Sequence, residues 1–175
     1  KIGRLELRYG EWLGTVWPQA SGRYSPTNCR NGWIAHPMPE PLPLSCNGDM
    51  RLANNLPIVL VEDQASRRGA HQLSGMILTI WPGGLETIEQ GRAVDWSPLR
   101  WRKVLVWPRN NARSNQVASA VAGMARQSGA TTVAVMDTVD RGLSEATGPA
   151  ELLAGMDWRQ AREFLINHGF GQFCR

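Results

Sequence analysis

The chain has 175 residues, 42% of them hydrophobic, and a formal net charge of +4. That is enough for one compact core and short for two independent ones, so a main domain with an appendage is expected. No run of about 18 apolar residues occurs, and no basic region precedes an apolar stretch at the start, which argues against a membrane span and a signal peptide and for a soluble, cytoplasmic protein. The first residue, Lys1, is not Met, so the sequence reads as part of a longer polypeptide or as lacking some terminal residues.

Cys29, Cys46 and Cys174 are widely spaced, and His36, His71 and His168 are equally scattered. Neither set has the close pairing that a zinc site or a disulfide framework requires. The charge is uneven. Between Arg92 and Arg126 lie Arg92, Arg100, Arg102, Lys103, Arg109, Arg113 and Arg126 against Asp95 alone, a balance of +6, which leaves −2 for the remainder. Arginine supplies 17 of the 19 basic residues, and its planar fork suits phosphate better than the lysine point charge does.

In chain order, residues 5–17 alternate loosely around Tyr9-Gly10-Glu11, as a hairpin or meander would. Prolines at 37, 39, 41 and 43 forbid helix and strand ladders and predict an extended polyproline path. This divides the chain into a small β-rich appendage with a proline-rich linker over 1–44 and an α/β domain over 45–175. Leu56 to Val61 is a short continuous apolar run ending in Glu62-Asp63, the pattern of a strand buried on both faces. Gln64 to Leu73 predicts a helix with Ala65, Gly69 and Leu73 inward and Arg67, Arg68 and His71 outward.

Met76 to Ile80 predicts a second strand, stopped by Trp81-Pro82-Gly83-Gly84, and Lys103 to Trp107 a third, stopped by Pro108. Asn111 to Ser128 predicts a helix with Val117, Val121 and Met124 on one stripe and Gly129 as its stop, followed by a fourth strand over Thr131 to Met136. A last helix is expected from Asp157, with Gln160 as capping-box partner and Ala161, Phe164, Leu165 and His168 along one face up to Gly169. Strands alternating with helices predict an α/β fold with a mostly parallel sheet flanked by helices.

Ligands of such sheets bind outside the carboxyl ends of the strands. Glu62, Asp63, Asp137 and Asp140 are the carboxylates expected there, and the third strand ends in Arg109-Asn110-Asn111 with none. A two-metal site needs several converging hard oxygen ligands, so the set is thin. Trp101, between Arg100 and Arg102, is the best candidate for stacking on a base.

The proline-rich Pro39-Glu40-Pro41-Leu42-Pro43-Leu44, the strand Ile58-Val59-Leu60-Val61-Glu62, Thr79-Ile80-Trp81-Pro82-Gly83-Gly84, Asp95-Trp96-Ser97-Pro98-Leu99 and Lys103-Val104-Leu105-Val106-Trp107-Pro108 together resemble the Toprim domains of primase and primase-helicase proteins from phages, plasmids and other mobile elements. The resemblance spans roughly residues 33–165. It implies a Toprim-like sheet, a role for Glu62 in acid–base or metal chemistry, and magnesium as the metal of an active member. The chain departs from the family at the site: Glu-Gly-Glu-Lys is replaced by Glu62-Asp63-Gln64-Ala65, and Asp-x-Asp by Arg109-Asn110-Asn111. No GxxxxGK[ST] helicase motif and no zinc-binding module occur in these residues.

The leading expectation is a catalytically degenerate Toprim-like module of a mobile-element or phage replication protein. It would need no cofactor and would bind nucleic acid, DNA or RNA and single-stranded, through Arg100, Trp101, Arg102, Arg109 and Arg113. One alternative is a magnesium-dependent primase or nuclease acting through Glu62, with Asp63, Asp137 and Asp140 as weaker metal ligands. Another is a regulatory module that contacts other replication proteins through an exposed apolar patch.

Overall fold

The computed structural model describes residues 24–25, 34–35, 41–44, 55–70, 73, 75–80, 88, 93–138, 144 and 147–174. The hairpin expected over 5–17, the Trp81-Pro82-Gly83-Gly84 turn and Asp140 lie outside them. Four strands, β4 (Ile58–Val61), β5 (Ile77–Ile80), β7 (Lys103–Trp107) and β8 (Thr132–Val135), form one parallel sheet in the order β5-β4-β7-β8. Two smaller pairs precede or flank it. Strands β1 (Tyr24–Ser25) and β2 (Ile34–Ala35) pair antiparallel, and β3 (Leu42–Pro43) pairs parallel with β6 (Val94–Asp95). Among the described residues the α-helices are α1 (Gln64–Gly69), α2 (Ala112–Gln127), α3 (Pro149–Leu152) and α4 (Trp158–Leu165). The expected α/β class with a parallel sheet is what the chain forms.

The sheet is covered on both faces, and the period of two along each strand decides which side chain serves which face. On one side Ile58 and Leu60 of β4 and Val104 and Val106 of β7 pack with Leu44, Leu99 and α2. On the other, Val59, Val61, Leu105 and Trp107 pack with Ala70, Leu73, α4 and the C-terminal Phe170 and Phe173. Each of these aliphatic side chains, removed from water, contributes about 1.5–3 kcal/mol.

Helix α2 follows its expected bounds. Asn111 caps it, its side-chain oxygen accepting from Ser114 N–H at 2.8 Å. Its buried residues Ser114, Val117, Ala118, Val121, Ala122 and Ala125 recur at helical spacing. It ends where Gly129 takes φ +90°, with Gly129 N–H donating to Arg126 and Ala130 N–H to Ala125, the paired bonds of a Schellman stop. Met124 is only half buried. In α4 the Asp157 carboxylate accepts from Arg159 and Gln160 N–H while Gln160 Oε1 accepts from Asp157 N–H at 2.8 Å, the expected capping box.

Two expectations need correction. Helix α1 ends at Gly69 rather than Leu73, and Ala65 is exposed: Asp63, as its cap, sets the phase so that Ser66 and Ala70 turn inward. Gly69 faces α3 instead of the sheet, where an added Cβ would coincide with Ala150. The proline run does hold a ladder, because the residue that donates is Leu42, whose N–H reaches the Ala93 carbonyl at 2.8 Å, and Pro43 needs no N–H of its own there. Among the described residues no helix is long and apolar enough to cross a membrane.

Candidate functional site

In this strand order the chain leaves β4 for the β5 side and leaves β7 for the β8 side, so the connections diverge between β4 and β7. That divergence opens a crevice at the carboxyl ends of adjacent strands, the position where such sheets take ligands. Glu62 follows β4 and Arg109 follows β7.

Glu62 is 8% exposed and its Oε1 has no hydrogen-bond partner. Burial is the main influence on its carboxyl and holds its pKa above the ordinary 4.5. The Ser114 hydroxyl, the Arg109 N–H and the Arg109 guanidinium oppose that rise, and the neighbouring Asp63 charge adds to it. Ser66 Oγ is likewise buried without a partner. Both serines sit three residues into a helix behind an extended cap, Asp63 for α1 and Asn111 for α2.

Arg109 ties the crevice together. Its Nη1 donates to Asp63 Oδ2 at 3.2 Å and its Nη2 to Glu151 Oε1 at 3.0 Å. Burial works against the charged guanidinium, but Glu151 and Asp63 prevail and its pKa is raised. Glu151 is held below the ordinary carboxylate value: burial would raise it, and backbone N–H groups together with Arg109 outweigh that. Its second oxygen accepts from Gly148 N–H at 2.9 Å, closing the N-terminus of α3. Asn110 fixes the same segment, its N–H donating to the Thr147 carbonyl at 2.8 Å and its amide to the Ser144 carbonyl at 3.1 Å. Residues 147–152 are thereby drawn against the ends of β4 and β7. Gly148 is closely approached, since a Cβ there would lie 3.1 Å from Glu151 Oε2 and 3.2 Å from Arg109 Cγ and both side chains would have to give by a few tenths of an ångström.

These residues do not fit a divalent cation. Arg109 takes an oxygen each from Asp63 and Glu151, the remaining oxygens of those two carboxylates cap α1 and α3, and the Asn111 amide oxygen caps α2, while Glu62 Oε1 is left without a hydrogen-bond partner. Hard cations of this kind want six or more oxygens. Among the described residues no three His, Cys, Asp or Glu side chains cluster as metal ligands. Asp137 is exposed beyond β8, two strand spacings or about 10 Å from β4.

The five residues expected to contact nucleic acid do not share one surface. Arg109 and Arg113, the latter exposed in the first turn of α2, lie at the carboxyl end of β7. Arg100 and Trp101 lie before β7 and so at the opposite end of the sheet, separated by five strand residues or about 16 Å. Arg102 turns inward. It is 6% exposed, burial lowers its pKa, and its Nη1 donates to the Leu56 carbonyl at 3.3 Å.

Trp101 is 71% exposed and has φ +64°, the one positive φ outside glycine among the described residues. Its N–H donates to the Gly129 carbonyl at 2.9 Å, and the Arg100 guanidinium carbon lies 5.0 Å from its ring centroid. The Arg100 stem passes 3.2 Å from the point where a Gly129 Cβ would stand. The indole is thus presented to solvent on a turn that the end of α2 holds in place. Arg126, exposed in the last turn of α2, belongs to this same end of the sheet.

Sequence reasoning did not single out Glu151, Ser66, Ser114 or Gly148. A signal for the first was present in Gly148-Pro149-Ala150-Glu151, which places Pro at the first helical position and an acid at the third. The chain matches no protein-family model, no curated protein and no solved structure, so the functional argument rests on this geometry and on the sequence pattern.

Proposed function

We propose that the chain is a Toprim-like domain of a phage or mobile-element replication protein that has given up metal chemistry and binds single-stranded nucleic acid through the Arg100–Trp101 edge. One observation carries this reading: a bulky aromatic residue is held in the left-handed backbone region with most of its ring in water. That conformation costs a non-glycine residue about 1–2 kcal/mol, and the exposed part of the indole contributes nothing against it. Base stacking on a fixed aromatic face supplies a use for such an arrangement, and the adjoining guanidinium supplies a phosphate partner. The loss of metal chemistry is supported by Arg109, which occupies the two acids that a cation would draw upon.

The test is fluorescence anisotropy with labelled single-stranded DNA, single-stranded RNA and duplex DNA over a salt series. With Arg100 and Arg126 as the exposed cations at this end among the described residues, one or two phosphates are neutralised. The slope of log affinity against log salt is then roughly −0.7 to −1.4, shallower than a surface collecting every arginine of the basic segment would give. Trp101→Ala is expected to weaken binding of the single strands by about 1–3 kcal/mol. A folded protein that binds no strand at about 50 mM salt, where such electrostatic contacts are strong, overturns the proposal.

A further inference from the structure

A groove of about 480 Å³ opens beside this edge, between β6 and the C-terminal turns of α2. Its walls are Ile88, Val94 and Trp96 on one side and Met124, Gln127 and Ser128 on the other. The groove is shallow and open to solvent, and its lining is mostly apolar, with Gln127 and Ser128 as its polar groups. The groove and the Trp101 edge are continuous through the backbone. Trp96 accepts the Leu99 N–H that closes the turn leading to Arg100, and Ser128 precedes the Gly129 whose carbonyl holds Trp101.

We infer that this groove receives one nucleobase of the strand whose neighbouring base stacks on Trp101. The inference rests on the nucleic-acid reading and deepens it by assigning a pocket. A base is planar and apolar on its faces, which suits the Trp96, Val94 and Met124 walls, while its edge carries donors and acceptors that an amide such as that of Gln127 can meet. On this assignment the phosphate joining the two bases lies outside the groove, on the Trp101 side where Arg100 stands. A duplex keeps its bases paired and stacked and can offer none to the groove without paying for extrusion. Single-strand preference thus follows from the shape.

The probe is a fluorescent oligo-dT strand, titrated into the whole chain. Gln127 is exposed, so Gln127→Trp fills the groove from its rim without entering the core, and is expected to weaken binding about tenfold with the salt slope unchanged. Met124→Ala removes a wall instead of filling the space and is expected to give a several-fold loss. Ser119→Trp, exposed on the same helix away from the groove, controls for bulk and leaves affinity as it was. Arg100→Ala behaves differently from both groove variants, reducing the slope by about 0.7. Melting curves confirm folding of each variant. If Trp101→Ala weakens binding while Gln127→Trp and Met124→Ala stay within twofold of the parent, the groove assignment is overturned and the edge proposal stands. If the parent chain itself binds no strand, both fall.

Discussion

Replacing Trp101 by glycine and by alanine separates the fold's interest in this residue from its function. At φ +64° both tryptophan and alanine carry the left-handed penalty of roughly 1–2 kcal/mol, and glycine carries none. Glycine's freer unfolded chain returns about 0.5–1 kcal/mol of that advantage. Alanine is normally the more stabilising of the two, so here the order reverses, with Trp101→Gly more stable than Trp101→Ala by about 0.5–1 kcal/mol. Against the parent, both lose the covered part of the indole, less than a third of its surface. That is about 70 Å² of a roughly 250 Å² side chain, or at most about 1.8 kcal/mol. They also lose the Arg100 contact, about 0.5–1 kcal/mol at an exposed site. Trp101→Ala is therefore expected to fall by about 2 kcal/mol and Trp101→Gly by about 1, read as urea midpoints at constant slope, or as melting shifts of about 2–4 °C per kcal/mol. Both variants lose the same stacking, so binding drops equally while stability does not. An alanine variant more stable than the glycine one refutes the backbone argument; a glycine variant that binds like the parent refutes the stacking argument.

Other perturbations probe the crevice. The pKa of Glu62 is raised on folding, so its contribution to stability is fully present below the unfolded value of about 4.5 and is lost as pH rises through the folded one. Glu62→Gln should then be more stable than the parent near pH 7 and level with it near pH 4, and denaturant midpoints at the two pH values decide the matter. Glu151 has the opposite sign: its lowered pKa gives stability above the unfolded value that disappears as pH falls through the folded one, so Glu151→Gln should be destabilised at pH 7 and converge with the parent in acid. Gly69→Ala should destabilise by about 1–3 kcal/mol, and Ala150→Gly should not rescue it, since an added Cβ at 69 coincides with the Ala150 Cα as well as its Cβ. The double change Arg109→Asp with Asn111→Asp, which keeps a capping side chain on α2, should create manganese binding detectable by calorimetry; a null titration of the folded variant would count against descent from a working metal site.

The sheet was legible because its central strands are buried on both faces, which forces continuous apolar runs such as Ile58 to Val61 and Val104 to Trp107. Both ends of α2 and the start of α4 were legible because caps are local chemistry: Asn111, Gly129, Asp157 and Gln160 act within a few residues of their own positions. The far end of α4 was not, since the α-helix stops at Leu165 and a wider turn over Ile166–Phe170 carries the chain past Gly169, where the helix was expected to end. Helix α1 was misphased because six residues hold too few turns for periodicity to decide between neighbouring faces. Helix α3, at four residues, has no periodicity at all, and only its Gly-Pro-x-Glu start announces it.

The crevice was half legible for a different reason. That a cation and no acid follows the strand Lys103–Trp107 is evident from the sequence, but its partner Glu151 lies 42 residues away, and no local pattern joins the two. The basic segment shows the converse error, in which nearness along the chain is taken for nearness in space. A strand advances about 3.3 Å per residue, so β7 carries the chain from Arg100 and Trp101 at one end of the sheet to Arg109 at the other. Just before β7, Arg102 turns under cover, where the guanidinium serves the Leu56 carbonyl. A run of like charges that straddles a buried strand is consequently divided between the two ends of the sheet. The feature that sets one end apart is the backbone at Trp101, a conformation that residue type alone does not announce, because tryptophan adopts it against its own steric preference.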